Sequence, residues 1–235
     1  MTQWEAPNKP AELTENRLVE AILDGTFAIN STLPPERELA EQLGVTRPTL
    51  REALQRLSRD GWLEIRQGKP TRVRDFWREG NLTILGTVAR FPQYLPTDFV
   101  KHLLQIRLLL APEYTRLAVQ NAKESVLQFL DRRIELDDNK EVFVDYDMNL
   151  HILCTQLSGN PVFTLIFNGF IDLYRTMGAL YFSIPASRES SRNYYTALAT
   201  AASSGNLDDV ESVVRSTMNE SITLWQKAEN IRLGE

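Results

Sequence analysis

The sequence is poor in cysteine and histidine: its 235 residues hold one of the former, Cys154, and two of the latter, His102 and His151. A single thiol excludes a disulfide framework within the chain, and Cys154 lies inside an apolar helical pattern where it reads as a small core residue in a reducing compartment. An N-terminal basic segment followed by an apolar stretch and a small-residue cleavage site is also lacking, so secretion is not expected. No apolar run is free of charge over membrane-spanning length. The nearest, residues 161–184, carries Asn168, Asp172 and Arg175, which makes it a buried helix of a soluble domain. The expected location is therefore cytoplasmic, with no membrane partner. No nucleophile–base pair stands out, so an enzyme has little support; Cys154 beside His151 on an apolar helix is not one.

An overall excess of positive charge is missing too, the formal net charge being -5. That would argue against nucleic acid if the charge were evenly spread. It is not: residues 47–74 hold eight Arg or Lys (47, 51, 56, 59, 66, 69, 72 and 74) against Glu52, Asp60 and Glu64, whereas residues 81–235 hold 14 basic against 18 acidic. DNA binding depends on the field over the docking face rather than on the total.

The N-terminal segment changes pattern quickly. Residues 11–23 predict a helix with Leu18, Val19 and Ile22 inward. Breaks at Gly25 and Pro34-Pro35 precede a two-turn helix over 36–43, closed by Gly44 as a left-handed cap. Thr46 is placed to cap the next helix, Pro48 sits in its first turn, and Leu50, Ala53, Leu54 and Leu57 form its buried stripe up to Gly61. The period then shortens into strands over 62–65 and 71–74 about the turn Gln67-Gly68-Lys69-Pro70. Three helices and a hairpin in this order predict a winged helix-turn-helix over residues 1–74, followed by a linker at 75–80.

From residue 81 to 235 no strand signal recurs, and helices are expected over 82–91, 98–119, 122–131, 141–157, 162–182, 188–203 and 207–230. The fold class is thus an α+β winged helix-turn-helix joined to an all-α helical bundle. The stretch 162–182 is apolar almost all round and is expected to be the central helix.

In the expected recognition helix Arg47 and Arg51 share a face opposite the leucine stripe, with Thr46 and Thr49 beside them at its start. Arginine forks in this position read guanine or hold phosphate, and the residues alone do not divide those roles. Arg37 opens the preceding helix within reach of backbone phosphates. Gly68 and Lys69 at the wing tip suit close approach to the minor groove. Each arginine alone is most often a solvated charge; their common register is what lifts them above that. Arg56 and Arg59 lack this register and read as ordinary surface residues.

The runs Leu33-Pro-Pro-Glu-Arg-Glu-Leu-Ala, Leu43-Gly-Val-Thr-Arg-Pro-Thr-Leu-Arg-Glu-Ala-Leu and Leu57-Ser-Arg-Asp-Gly-Trp-Leu resemble the GntR-type regulators. The stretch from Asp60 to Trp77, with Ser158-Gly-Asn-Pro, residues 178–182 and Glu220-Ser-Ile-Thr-Leu-Trp, is similar more narrowly to the fatty acid metabolism regulators among them. The resemblance implies a homodimer on a double-stranded, pseudo-palindromic DNA operator, released by a long-chain acyl-CoA effector, with no other cofactor. Such a regulator represses degradation genes and, in an added role, activates synthesis genes. DNA contacts carried over are Arg37, Thr46, Arg47, Thr49, Arg51, Gly68 and Lys69. Pro48 and Gln67 depart from the narrower pattern, which has a threonine and a histidine there.

On the last helix Leu207, Val210, Val214, Thr217, Ser221 and Trp225 fall on one face, and Tyr174 and Tyr181 share a face seven residues apart. Both sets read either as plain core or as the lining of a cavity in which a few polar groups orient an apolar ligand. The resemblance favours the cavity and implies Tyr174, Tyr181, Glu220, Ser221 and Trp225 as ligand contacts, with Met218 and Asn230 in place of a glycine and a lysine. Arg107 is open to pairing with an acidic ligand or with Asp147. A competing reading is a GntR-type regulator of a small organic or sugar acid, acting through a metal. Asp147 and His151, four apart on one helix face, are its weak candidate ligands, and Tyr195 and Asn219 stand where further histidines would be needed.

Overall fold

The computed structural model describes the backbone of residues 10–233 and the side chains of residues 10–227. The chain divides into two compact units between Tyr94 and Leu95.

In the first unit α1 (Pro10–Leu23), α2 (Glu36–Leu43) and α3 (Arg47–Asp60) lead into the antiparallel pair β1 (Leu63–Glu64) and β2 (Arg72–Val73), with Leu63 opposite Val73. The expected helix ends hold. Gly44 closes α2 at φ 67°, Thr46 caps α3 through its side chain, and Gly61 closes α3 at φ 97°. Gly61 is required twice over, since a Cβ there would also stand 3.3 Å from the Gly80 Cα. Leu18, Leu50, Leu57, Trp62 and Val73 are buried to the last few per cent and make the core. The ladder is wider than the two expected strands. Residues 30–33 lie along the free edge of β2, Asn30 N–H donating to Val73, Val73 N–H to Ser31 and Leu33 N–H to Thr71. Nothing in that short, proline-bounded stretch alternates, so periodicity could not show it.

The expected linker at 75–80 is corrected: it is part of the first unit. Its residues form the single turn α4 (Phe76–Glu79), in which Phe76 packs on Trp62 with ring centroids 4.6 Å apart. Glu79 accepts from the Arg72 guanidinium at 2.9 Å, tying this turn to the hairpin. A short helix, α5 (Thr83–Val88), completes the unit and buries Ile84 and Val88.

The second unit is all-helical among the described residues: α6 (Phe99–Asp131), α7 (Lys140–Leu157), α8 (Pro161–Asn168), α9 (Ile171–Tyr181), α10 (Pro185–Ser204) and α11 (Leu207–Leu233). The expected break after residue 119 is a kink at Ala122 (φ -149°, ψ 50°) rather than a loop. Among the described residues two short 3-10 turns occur, at Pro92–Tyr94 and Arg132–Glu135. The single central helix over 162–182 is corrected as well. Gly169 and Phe170 divide it into α8 and α9, and Val162 and Leu165 face outward at 53% and 68% exposure. The helix of this unit with the largest share of buried residues is α7, which buries Phe143, Leu150 and Cys154 together with Asp147 and His151. Its polar content disguised its position, because period and mean hydropathy discount a buried carboxylate.

No described helix is long and apolar enough to cross a membrane. Truncating Trp62 to alanine removes a fully buried ring on which Phe76 of α4 packs and should cost about 3–5 kcal/mol. Limited proteolysis of the full chain is the check: cleavage of W62A within residues 10–94 should accelerate sharply, while residues 99–227 keep their wild-type resistance.

Candidate nucleic-acid interface and effector cavity

The N-terminus of α3 is held by two threonines. The Thr49 N–H donates to Thr46 Oγ1 at 3.3 Å, and the two hydroxyls are 2.9 Å apart. This fixes the first turn on which Arg47 stands exposed. Arg51, one turn later, donates from Nε to Glu36 Oε2 at 2.7 Å, joining α3 to the start of α2, where Arg37 is exposed. Gly68 takes φ 71° at the open tip of the hairpin, and the Lys69 N–H closes that turn on the Arg66 carbonyl. The seven expected DNA-contact residues thus lie at the starts of α2 and α3 and at the hairpin tip. The basic excess divides in two. Arg56, Arg59, Arg66, Arg72 and Arg74 each pair with a carboxylate, whereas Arg37, Arg47 and Lys69 are in no ion pair among the described residues. Glu64, which accepts from both Arg72 and Arg66, has its pKa lowered by those bonds and stays ionised.

In the second unit α6, α8 and α9 enclose a cavity walled by Leu103, Leu104, Leu110, Phe163, Phe167 and Met177, among others. Its polar atoms come from Arg107, Tyr114, Tyr174, Tyr181 and Trp225. Arg107 donates from Nη1 to the Tyr174 oxygen at 3.2 Å and from Nη2 to Ser221 Oγ at 3.0 Å. Its Nη1 is 3.7 Å from Asp147 Oδ2. The Asp147 carboxylate is buried and accepts from two phenols, Tyr174 on one oxygen and Tyr195, at 2.9 Å, on the other. Beyond it His151 Nδ1 is 2.7 Å from the Tyr114 hydroxyl, and its Nε2 is 3.7 Å from Asp147. Burial pushes the His151 pKa down to about 4, against the pull of Asp147 and with Arg107 adding to the fall, so the imidazole is neutral. Burial, reinforced by Asp147, raises the Tyr174 and Tyr195 phenols well above their ordinary range and keeps them protonated as donors. Cys154 is pushed up to about 12 by burial and is an inert thiol.

The expected ligand residues separate. Arg107, Tyr174, Tyr181 and Trp225 line the cavity; Ser221 reaches it through Arg107 while also donating to the Thr217 carbonyl at 2.9 Å. Glu220 is corrected: it is exposed, about 100° around α11 from Ser221, and is not in the wall. Met218 is buried in the core, and the side chain of Asn230 lies outside the described residues. For a metal, Asp147 and His151 are adjacent, yet both Asp147 oxygens are already taken and a guanidinium stands beside them. Tyr195 is one of those donors and Asn219 is exposed. Among the described residues no three of His, Cys, Asp or Glu converge. The Asp147–Tyr195 bond was missed by the sequence reading, although an aspartate on the inner face of an apolar helix was its signal.

Two family descriptions match the chain: bacterial regulatory proteins of the gntR family over residues 10–73, and the FadR C-terminal domain over residues 74–232. A fatty acid metabolism regulator protein from Shewanella sp. (strain ANA-3) is 42% identical over 217 residues, covering 92% of this chain and 90% of its own. One from Serratia proteamaculans (strain 568) is 40% identical with 92% and 91% covered. Among solved structures, Lar, which controls expression of the Listeria monocytogenes agr system, shares the fold at a TM-score of 0.63, with 17% identity and 96% and 99% coverage.

The neutral imidazole makes the second unit acid-sensitive. In the unfolded chain His151 titrates near 6.5, so between about pH 6.5 and 4 the unfolded state binds more protons. The stability present above pH 6.5 is lost as pH falls through that window, about 2 kcal/mol of it by pH 5. Urea unfolding at pH 7 and pH 5 should show this loss, and His151→Gln should shrink it by about that amount.

Proposed function

We propose that this chain, which belongs to the GntR family of bacterial regulatory proteins and carries a FadR C-terminal domain, is a homodimer that leaves its operator when a long-chain acyl-CoA occupies the cavity of the second unit. The chain is a DNA-binding transcriptional regulator, with a winged helix-turn-helix followed by a helical bundle, and has the role of a fatty acid metabolism regulator. In the proposal it acts in the cytoplasm, on a pseudo-palindromic site whose halves are read by the two α3 helices of the dimer. Arg47 and Arg51 face the major groove, with Thr46 and Thr49 at its edge. Arg37 holds phosphate, and Gly68 with Lys69 follows the minor groove.

The observation that carries the effector reading is the cavity. Its walls are aliphatic and aromatic on three helices, which suits an acyl chain, and its polar groups are few and convergent. Arg107 already stands beside Asp147 and is not a free cation for a carboxylate, so the polar end favours a neutral acyl carbonyl over a small organic or sugar acid. Differential affinity of the acyl thioester for the free and the operator-bound protein then drives release.

Gel shifts with a palindrome of the fatty acid regulator type test the two halves separately. Oleoyl-CoA should abolish the complex at micromolar concentration, while citrate and gluconate should leave it intact. A complex indifferent to every acyl-CoA would reject the effector. Arg47→Ala should weaken operator binding by about 1–3 kcal/mol if it reads a base. Lys69→Ala should lower the slope of log affinity against log salt by about one if it holds a phosphate.

A further inference from the structure

Among the described residues, four buried polar atoms in and beside the cavity find no hydrogen-bond partner: Arg107 Nε, Trp225 Nε1, the Tyr181 hydroxyl and Ser187 Oγ. Ser187 is wholly buried in the first turn of α10, and Tyr181 is 7% exposed at the end of α9. Burial raises the Tyr181 phenol above its ordinary range; Ser221 and Ser187 lie close enough to offset part of that rise, though neither makes a hydrogen bond of ordinary geometry with it. Ser221 accepts from Arg107 and spends its one hydrogen on the Thr217 carbonyl, so it has no donor left for a ligand. What remains open is therefore of two chemical kinds. Arg107 Nε and Trp225 Nε1 can only donate, which suits a carbonyl oxygen. Tyr181 and Ser187 can each donate and accept, which suits a hydroxyl.

The two kinds are neighbours, because Ser221 touches the Arg107 guanidinium at 3.0 Å and lies beside Tyr181. A ligand whose carbonyl lies at Arg107 would bring its first few carbons to the Tyr181–Ser187 pair. An unsubstituted chain leaves that pair buried and unsatisfied, and a site with such groups discriminates strongly against ligands that cannot pair with them.

We propose that Tyr181 and Ser187 form a hydroxyl-reading subsite, and that the preferred effector class is a 3-hydroxyacyl thioester rather than the plain acyl thioester. This rests on the reading of the cavity as the acyl effector site. Calorimetry on the full chain with hexadecanoyl-CoA and with each enantiomer of 3-hydroxyhexadecanoyl-CoA tests it. One enantiomer should bind about tenfold tighter than the plain thioester. Ser187→Ala and Tyr181→Phe, both checked for wild-type melting, should each bring that ratio close to one. A wild-type ratio of one or less, or a preference that survives both substitutions, overturns the subsite. Failure of all the thioesters to bind would instead remove the effector reading on which it rests.

Discussion

The helical unit depends on satisfying one buried carboxylate, Asp147, in its interior. An unpaired charge there would be prohibitive, and the chain offsets it with donors drawn from separate helices. Tyr174 comes from α9, Tyr195 from α10 and Arg107 from α6, while Arg107 is itself braced by Ser221 on α11. With Asp147 on α7, five helices meet in one polar cluster. Packing alone tolerates repacked alternatives, whereas a charge and its donors tolerate few, so the cluster selects one arrangement of helices. The same groups stand at the wall of an apolar cavity. A ligand that enters it must either fit beside this cluster or rearrange it, which gives the bundle a physical means of registering occupancy.

The N-terminal unit uses charge in the opposite way, at the surface and in two populations. Arg72 is gripped by Glu64, Glu79 and Asn30, and with Phe76 on Trp62 this makes the hairpin and the following turn one rigid piece. Among the described residues Arg47 and Lys69, at the helix start and hairpin tip, have no acidic partner. Surface pairs of this kind add little stability. Their effect is to neutralise most of the basic excess and leave positive charge where it can reach phosphate or base edges. Arg51 stands between the two groups, since its bond to Glu36 must be exchanged before it can face DNA.

Much of the first unit was legible because local rules decide it. Gly44, Thr46 and Gly61 end or begin helices for reasons contained in a few residues, and the α3 core stripe follows from a period of 3.6. The extended segment at 30–33 was not legible, since its order comes from pairing with β2, forty residues away. The second unit was read correctly as helical but its centre was misplaced. Hydrophobicity pointed to 162–182, while the more deeply buried α7 is held by polar contacts that acquire meaning only in three dimensions. Tyr174, Tyr181, Ser221 and Trp225 were visible by face, and Arg107 as a partner for an acidic ligand or for Asp147. Glu220 was carried by motif alone, and a position beside Ser221 on a helix need not share its face.

In the proposed mechanism, occupancy of the cavity is sensed through the Asp147 cluster and read out as loss of operator affinity. Fluorine NMR of the full chain labelled with 3-fluorotyrosine, with resonances assigned by single Tyr→Phe variants, tests it most directly. On titration with hexadecanoyl-CoA the Tyr174 and Tyr195 resonances should shift, with the same midpoint as operator release, while Tyr94 stays in place. Release of the operator with Tyr174 and Tyr195 unmoved would contradict the account.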